Sequence, residues 1–180
     1  SSTGNRPLDA ALNAGSQLES LRASGPIAPF ALVGRAQKDV DRLQTVLQGF
    51  GYYQGKVTIT VDGRSLDDPG LPAAIEALPN ETDAAVAVAF DIGPLYRLRN
   101  VTIDGDVPDD ARAKLGIASG DPAVASEVLT AQQRLLTALQ EDGYALARVD
   151  LPVAYEDPAA HVLDVTYTAS AGSRVEIGDI

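Results

Sequence analysis

The sequence predicts an α+β protein built as two tandem units, and three observations carry that reading. Apolar residues spaced three and four apart give way to strict alternation at Gly51-Tyr52. The same exchange recurs at Gly143-Tyr144, 92 residues later. Between the two, Gly93-Pro94-Leu95-Tyr96-Arg97 breaks one alternating run and opens the next.

After the polar start SSTGNRP, Leu8, Ala11, Leu12, Leu18 and Leu21 share one helical face. A helix is expected from about Leu8 to Ala23, stopped by Ser24, Gly25 and Pro26. A stronger helix follows, in which Val33, Ala36, Val40, Leu43, Val46, Leu47 and Phe50 recur at helical spacing while Arg35, Lys38, Asp39 and Arg42 fall mostly elsewhere, as a solvated face does. Gly51 stands where a left-handed C-terminal cap belongs. Val57, Ile59 and Val61 then alternate with Thr58, Thr60 and Asp62, the pattern of a half-buried strand. Gly63 to Thr82 reads as a long polar loop with a helical turn at Leu71 to Leu78. Ala85 to Ile92 reads as a strand carrying Val86, Val88, Phe90 and Ile92 on one side.

Tyr96 to Gly105 opens the second unit as a strand through Val101 and Ile103, followed by a short helix from Pro108 to Leu115. Pro122 sits at the first turn of a longer helix whose Val124, Val128, Ala131, Leu135 and Leu139 share a face. After Gly143-Tyr144 come a strand with Ala147, Val149, Leu151 and Val153, a turn at Glu156 to Ala160, and a strand with Leu163, Val165 and Tyr167 facing one way. Gly172-Ser173-Arg174 then echoes the step at Gly93-Pro94, with serine in place of proline.

Composition narrows the chemistry. A net charge of −11 argues against a nucleic-acid backbone as partner, because that binding draws on Lys and Arg neutralising phosphates. The absence of cysteine removes disulfides, thiolate nucleophiles and zinc-thiolate sites together. No apolar run approaches the roughly 20 residues that span a bilayer.

The candidate chemical groups are sparse. His161 is the single histidine and lies in a turn beside Pro158, a solvated position rather than that of a general base. Gly49, Gly51 and Gly55 follow a helix and precede a strand, the reverse of a dinucleotide fingerprint. Asp104, Asp106, Asp109 and Asp110 lack the turn glycine and the twelfth-position glutamate of a calcium loop, so no metal is expected, and Asp109 and Asp110 read as residues favoured at a helix start. Phe50, Tyr52 and Tyr53 gather at the first junction. The positions of Tyr52 and Tyr144 repeat, which favours a packing role, and Tyr53 stays open between packing and binding.

The order helix, Gly-Tyr, strand, strand, Gly-Pro, Tyr-Arg, strand resembles the POTRA domain, the polypeptide-transport-associated module that precedes the membrane barrel in the Omp85 family. Gly51-Tyr52-Tyr53, Gly143-Tyr144, Gly93-Pro94-Leu95-Tyr96-Arg97 and Val101-Thr102-Ile103-Asp104-Gly105 carry the resemblance, which covers essentially the whole chain. It implies β-α-α-β-β units, each a three-stranded mixed sheet packed against two helices. Residues 1–94 would form the first, its opening strand not recognisable, residues 95–171 the second, and residues 172–180 the start of a third.

The resemblance further implies a periplasmic scaffold without enzymatic activity or cofactor, monomeric as a fragment and attached to the outer membrane through a downstream barrel. Its partners would be unfolded outer-membrane protein clients or a periplasm-spanning protein. A POTRA pair of a two-partner secretion transporter or a cell-division scaffold is the alternative the sequence leaves open. The family sheet places the third strand centrally and the strand after each Gly-Tyr at an edge. Docking by strand addition is therefore expected along Val57, Thr58, Ile59, Thr60 and Val61, and along Arg148, Val149, Asp150 and Leu151, with Pro152 marking the second as an edge.

Overall fold

The computed structural model describes residues 2–20, 28–79 and 82–174. The chain forms two compact units, Ser1–Pro94 and Leu95–Ile180, and its class is α+β.

The first unit begins with α1 (Arg6–Gly15), whose N-cap Asn5 accepts the Leu8 N–H on its side chain. A break at Ser16 separates it from α2 (Gln17–Ser20), so the single helix expected to Ala23 is two, and its last three residues lie outside the described ones. The cause is Asp39 of α3 (Pro29–Gly49), a fully buried carboxylate that accepts from the Ser16 hydroxyl (2.8 Å) and the Gln17 and Leu18 N–H groups (3.0 and 2.9 Å). Those N–H groups stand at the start of α2, where no intrahelical partner exists, and Asp39 supplies the acceptor. Leu8, Leu12, Ala36, Leu43 and Leu47 of these helices close over Val57 and Ile59 to make the core.

Strand β1 (Lys56–Val61) alternates buried and exposed residues as its sequence predicts. Asp62 and Gly63, both with positive φ (49° and 76°), then make a two-residue turn of the kind that matches strand twist, and β2 (Arg64–Ser65) folds back onto Val61 and Thr60. The hairpin falls where the sequence suggested only a loop, although Asp-Gly after an alternating run is its signal. Helix α4 (Leu71–Glu76) follows, and β3 (Val86–Asp91) pairs antiparallel along all of β1. The sheet order is β2-β1-β3. β1 is therefore not a free edge throughout, since β2 takes its Thr60–Val61 end. Among the described residues no parallel strand joins this sheet, so its pairing is antiparallel rather than the mixed pairing expected.

The second unit shows the β-α-α-β-β order with its fourth element split into two strands, so the sheet has four strands where three were expected. It runs β4 (Arg97–Asp104), α5 (Asp109–Arg112), α6 (Ala125–Glu141), β5 (Arg148–Val149), β6 (Val153–Asp157) and β7 (Val162–Ser170). β7 is central: parallel to β4 on one side and antiparallel to β5 and β6 on the other. Its Leu163, Val165 and Tyr167 are buried, as are Leu135 and Leu139 of α6, Tyr96 and Leu98. The Tyr167 hydroxyl donates to the Val128 carbonyl at 2.8 Å, which satisfies the one polar atom its burial would strand.

Both junctions after the long helices are built alike. Tyr52 N–H donates to Leu47 O and Gly51 N–H to Gln48 O; Tyr144 N–H donates to Leu139 O and Gly143 N–H to Gln140 O. Each pair is a Schellman motif closed by a glycine of positive φ, 90° at Gly51 and 93° at Gly143. The register even extends to the next turn, where Gly55 N–H meets Tyr52 O and Ala147 N–H meets Tyr144 O, both at 3.0 Å.

Candidate functional site

The second unit's sheet ends in a broken edge strand. Asp150 N–H donates to Thr168 O, and Val153 pairs Thr166, so three residues of the edge advance against two of β7. One residue is extra, and the chain bulges at Leu151-Pro152, where proline's missing donor does no harm. This divides the strand expected through Ala147, Val149, Leu151 and Val153. Ala147 and Val149 point inward as expected, whereas Leu151 is 72% exposed and Val153 49%.

The edge of β5 is partly engaged. Arg148 and Val149 pair Ser170 and Ala169, Asp150 bonds Thr168, and the outward Val149 carbonyl accepts from the buried Gln132 side chain of α6 at 2.9 Å. Of the residues expected there, Arg148, Asp150 and Leu151 are exposed, and Leu151 is the apolar one.

The open ladder lies one segment later. In an antiparallel pair every second residue turns its N–H and C=O to the neighbour. Since Thr168 O faces the edge strand, so do Thr166, Asp164 and Val162, and their partners Val153, Tyr155 and Asp157 face back. Ala154 and Glu156 therefore turn their backbone groups outward, with no partner among the described residues. Beside them Val153 and Tyr155, the latter 70% exposed, stand on the outer face of the sheet with Leu151 just before them.

That face also carries the restraint on β6. The Arg99 guanidinium of β4 reaches across β7, donating to Asp164 from Nε and Nη2 (3.0 and 2.6 Å) and to Asp157 of β6 from Nη1 (2.9 Å). Asn100 adds a bond to Asp164 at 2.8 Å. Arg99 holds the Asp164 carboxyl below the usual range, and the Ala160 N–H together with Arg99 does the same for Asp157. The pairing in turn holds Arg99 firmly protonated. One end of β6 is thus pinned from the far side of the sheet while its outer ladder stays open.

In the first unit, Val57, Ile59 and Val61 point into the core and Thr58 is exposed, with Thr60 half-buried. Among the described residues no strand pairs with Lys56–Ile59 on the side away from β3. Tyr52 packs half-buried against the core, and Tyr144 is half-buried in its unit. Tyr53 lines a shallow cleft of about 540 Å³ with Gln44, Lys56 and Asp91. His161 sits in its turn at a φ of 54°, its ring edge-on to Tyr96 at 5.6 Å. Asp109 and Asp110 occupy the first turn of α5, and among the described residues no group of three acidic or histidine side chains is placed to hold a metal ion. No helix among them is long and apolar enough to cross a membrane.

No protein-family model matches the chain, and no curated protein matches it. Solved structures do show similarity. Haemophilus influenzae BamA POTRA domains 3–5 are 23% identical over 78% of this chain and 51% of theirs, with a TM-score of 0.44. POTRA4 of the same protein is 26% identical over 46% of this chain and 98% of its own, with a TM-score of 0.39. BamA from Haemophilus ducreyi lacking POTRA domains 1–3 is 20% identical over 76% of this chain and 23% of its own, with a TM-score of 0.41. The chain thus spans about half the length of the first of these.

Proposed function

We propose that this chain is a periplasmic docking scaffold of an outer-membrane protein assembly or insertion factor, made of POTRA-like units and acting by binding rather than catalysis. Within the Omp85 family, the order of its motifs is most like that of the translocation and assembly module protein TamA. The observation that carries the reading is the edge of β6: outward backbone groups at Ala154 and Glu156 beside exposed Leu151, Val153 and Tyr155. Such an edge adds an extended client through main-chain hydrogen bonds, which ask little of the client's sequence, while the apolar side chains beside it hold every second residue. That suits a scaffold whose clients share extended, alternating strands. The docking edge so assigned lies one segment beyond Arg148–Leu151, and Lys56–Ile59 of the first unit stays a secondary edge. The client is an unfolded outer-membrane protein or an extended segment of a periplasm-spanning partner, and a membrane barrel belongs to the parent chain.

A photo-reactive residue in place of Glu156, in the parent protein in its cells, tests this. Crosslinks to unfolded barrel precursors are expected, with few from the same residue placed at Gln133 on α6. Equal yields from both positions, or no precursor captured, would defeat the assignment.

A further inference from the structure

We propose that the cleft beside the outer edge of β4 captures the C-terminal carboxylate end of an extended peptide. This site lies on the opposite edge of the sheet from β6 and does not depend on the client reading above.

The outer edge of β4 is closed at both ends and open between. At its start Leu98 N–H donates to Asp121 O (2.8 Å), Gly120 N–H donates to Leu98 O (2.7 Å), and the Ser119 hydroxyl donates to Arg99 O (2.6 Å). At its end the Arg112 guanidinium donates to Ile103 O (2.9 Å), Gly105 O (2.8 Å) and Val107 O (3.0 Å). Arg99 and Ile103 both turn carbonyls to this side, so Val101 between them does too. Its N–H and C=O, and the Ile103 N–H, have no partner among the described residues. They face an open cleft of about 820 Å³ walled by Val101, Ile103, Leu115 and Ile117.

The occupant follows from the ends of that window. From Arg99 to Ile103 it is roughly 13 Å of strand, enough for about three residues of added chain. A chain running through would have to leave the ladder at both ends, against Gly120 on one side and Arg112 on the other. A chain terminus leaves at one end only. Which terminus is set by Arg112, because three of its five N–H groups are used on carbonyls and two have no partner among the described residues. Among the described residues no carboxylate forms an ion pair with it, while the other cleft arginine, Arg99, is committed to Asp157 and Asp164. A rigidly held guanidinium with two free donors is a carboxylate receptor. The carboxylate then sits at the Ile103 end, the peptide runs parallel to β4, and its last side chain enters an apolar wall.

The test uses the whole chain and a fluorescein-labelled hexapeptide of alternating threonine and valine ending in a free valine carboxylate. Its anisotropy should rise on titration, the Val101 and Ile103 amide shifts should move, and the C-terminal amide of the same peptide should bind about tenfold more weakly. Ala113→Trp, which fills the cleft from an exposed position, should abolish binding without lowering the melting temperature. The acid-against-amide comparison needs no variant, so it decides even if Ala113→Trp folds poorly. Equal binding of acid and amide overturns the proposal, as do shifts that map to β6 or no saturation at millimolar peptide. An amidated peptide with an internal aspartate that binds as tightly as the free acid overturns the choice of a chain end.

Discussion

Asp39 carries more of the first unit than its place in a row of helix-surface charges suggests. Burial pushes its pKa up, but the Leu18 and Gln17 N–H groups, the Ser16 hydroxyl and Arg42 together outweigh that and leave it below the ordinary 3.8. A carboxyl depressed in the folded state adds stability that is present above its unfolded pKa and lost as the pH falls through the folded one. The first unit should therefore weaken as the pH drops below about 4. Asp39→Ala should remove that part of the acid sensitivity and cost about 3 kcal/mol at neutral pH by urea unfolding. An unchanged acid profile in the variant would move the sensitivity elsewhere. Tyr167 works the opposite way: burial raises its phenol to about 12, so it stays a neutral donor to Val128 O. Tyr167→Phe should cost about 1 kcal/mol, with no pH dependence below 10.

At the scale of elements, what the sequence discloses is local and what it hides is not. The Gly51 and Gly143 junctions are legible because a period change and a left-handed cap both lie within a few residues. The break at Leu151-Pro152 depends on register against β7, and Gln132 reaches Val149 O from a different element. Alternation alone therefore runs a strand straight through Leu151 and Val153, where the register against β7 breaks it. Pro152 is the local clue, since it marks an edge and a bulge equally well. Asp62-Gly63 is another local one, a two-residue turn signal between β1 and β2. The same distinction separates two variants. Gly143→Ala, forced to a φ of 93°, should cost about 1 kcal/mol and leave client capture alone. Val153→Ser with Tyr155→Ser should stay within about 0.5 kcal/mol, because both side chains are exposed, yet cut crosslinking from Glu156 severalfold. Full capture by the double variant would mean that the ladder alone binds.

For the whole molecule, the repeat makes a prediction about independence. Leu47 and Leu139 occupy the same place in their units: each is fully buried, and each gives its carbonyl to the tyrosine that follows the capping glycine. Leu47 belongs to a core made of Leu8, Leu12, Ala36, Leu43, Val57 and Ile59, all within Ser1–Pro94. Truncating it leaves a cavity that costs about 2–5 kcal/mol. If the two units are separate cooperative blocks, that loss stays in the first. Amide exchange should then quicken across β1 and β3 in Leu47→Ala while the β7 amides keep their protection, and Leu139→Ala should give the mirror result. Exchange that quickens in both units from either substitution would show one cooperative block. The proposed docking edge at β6 and the proposed peptide cleft at β4 both belong to the second unit, so the outcome also says whether damage to the first can reach them. Separate blocks predict that Leu47→Ala leaves both capture from Glu156 and peptide binding at β4 intact.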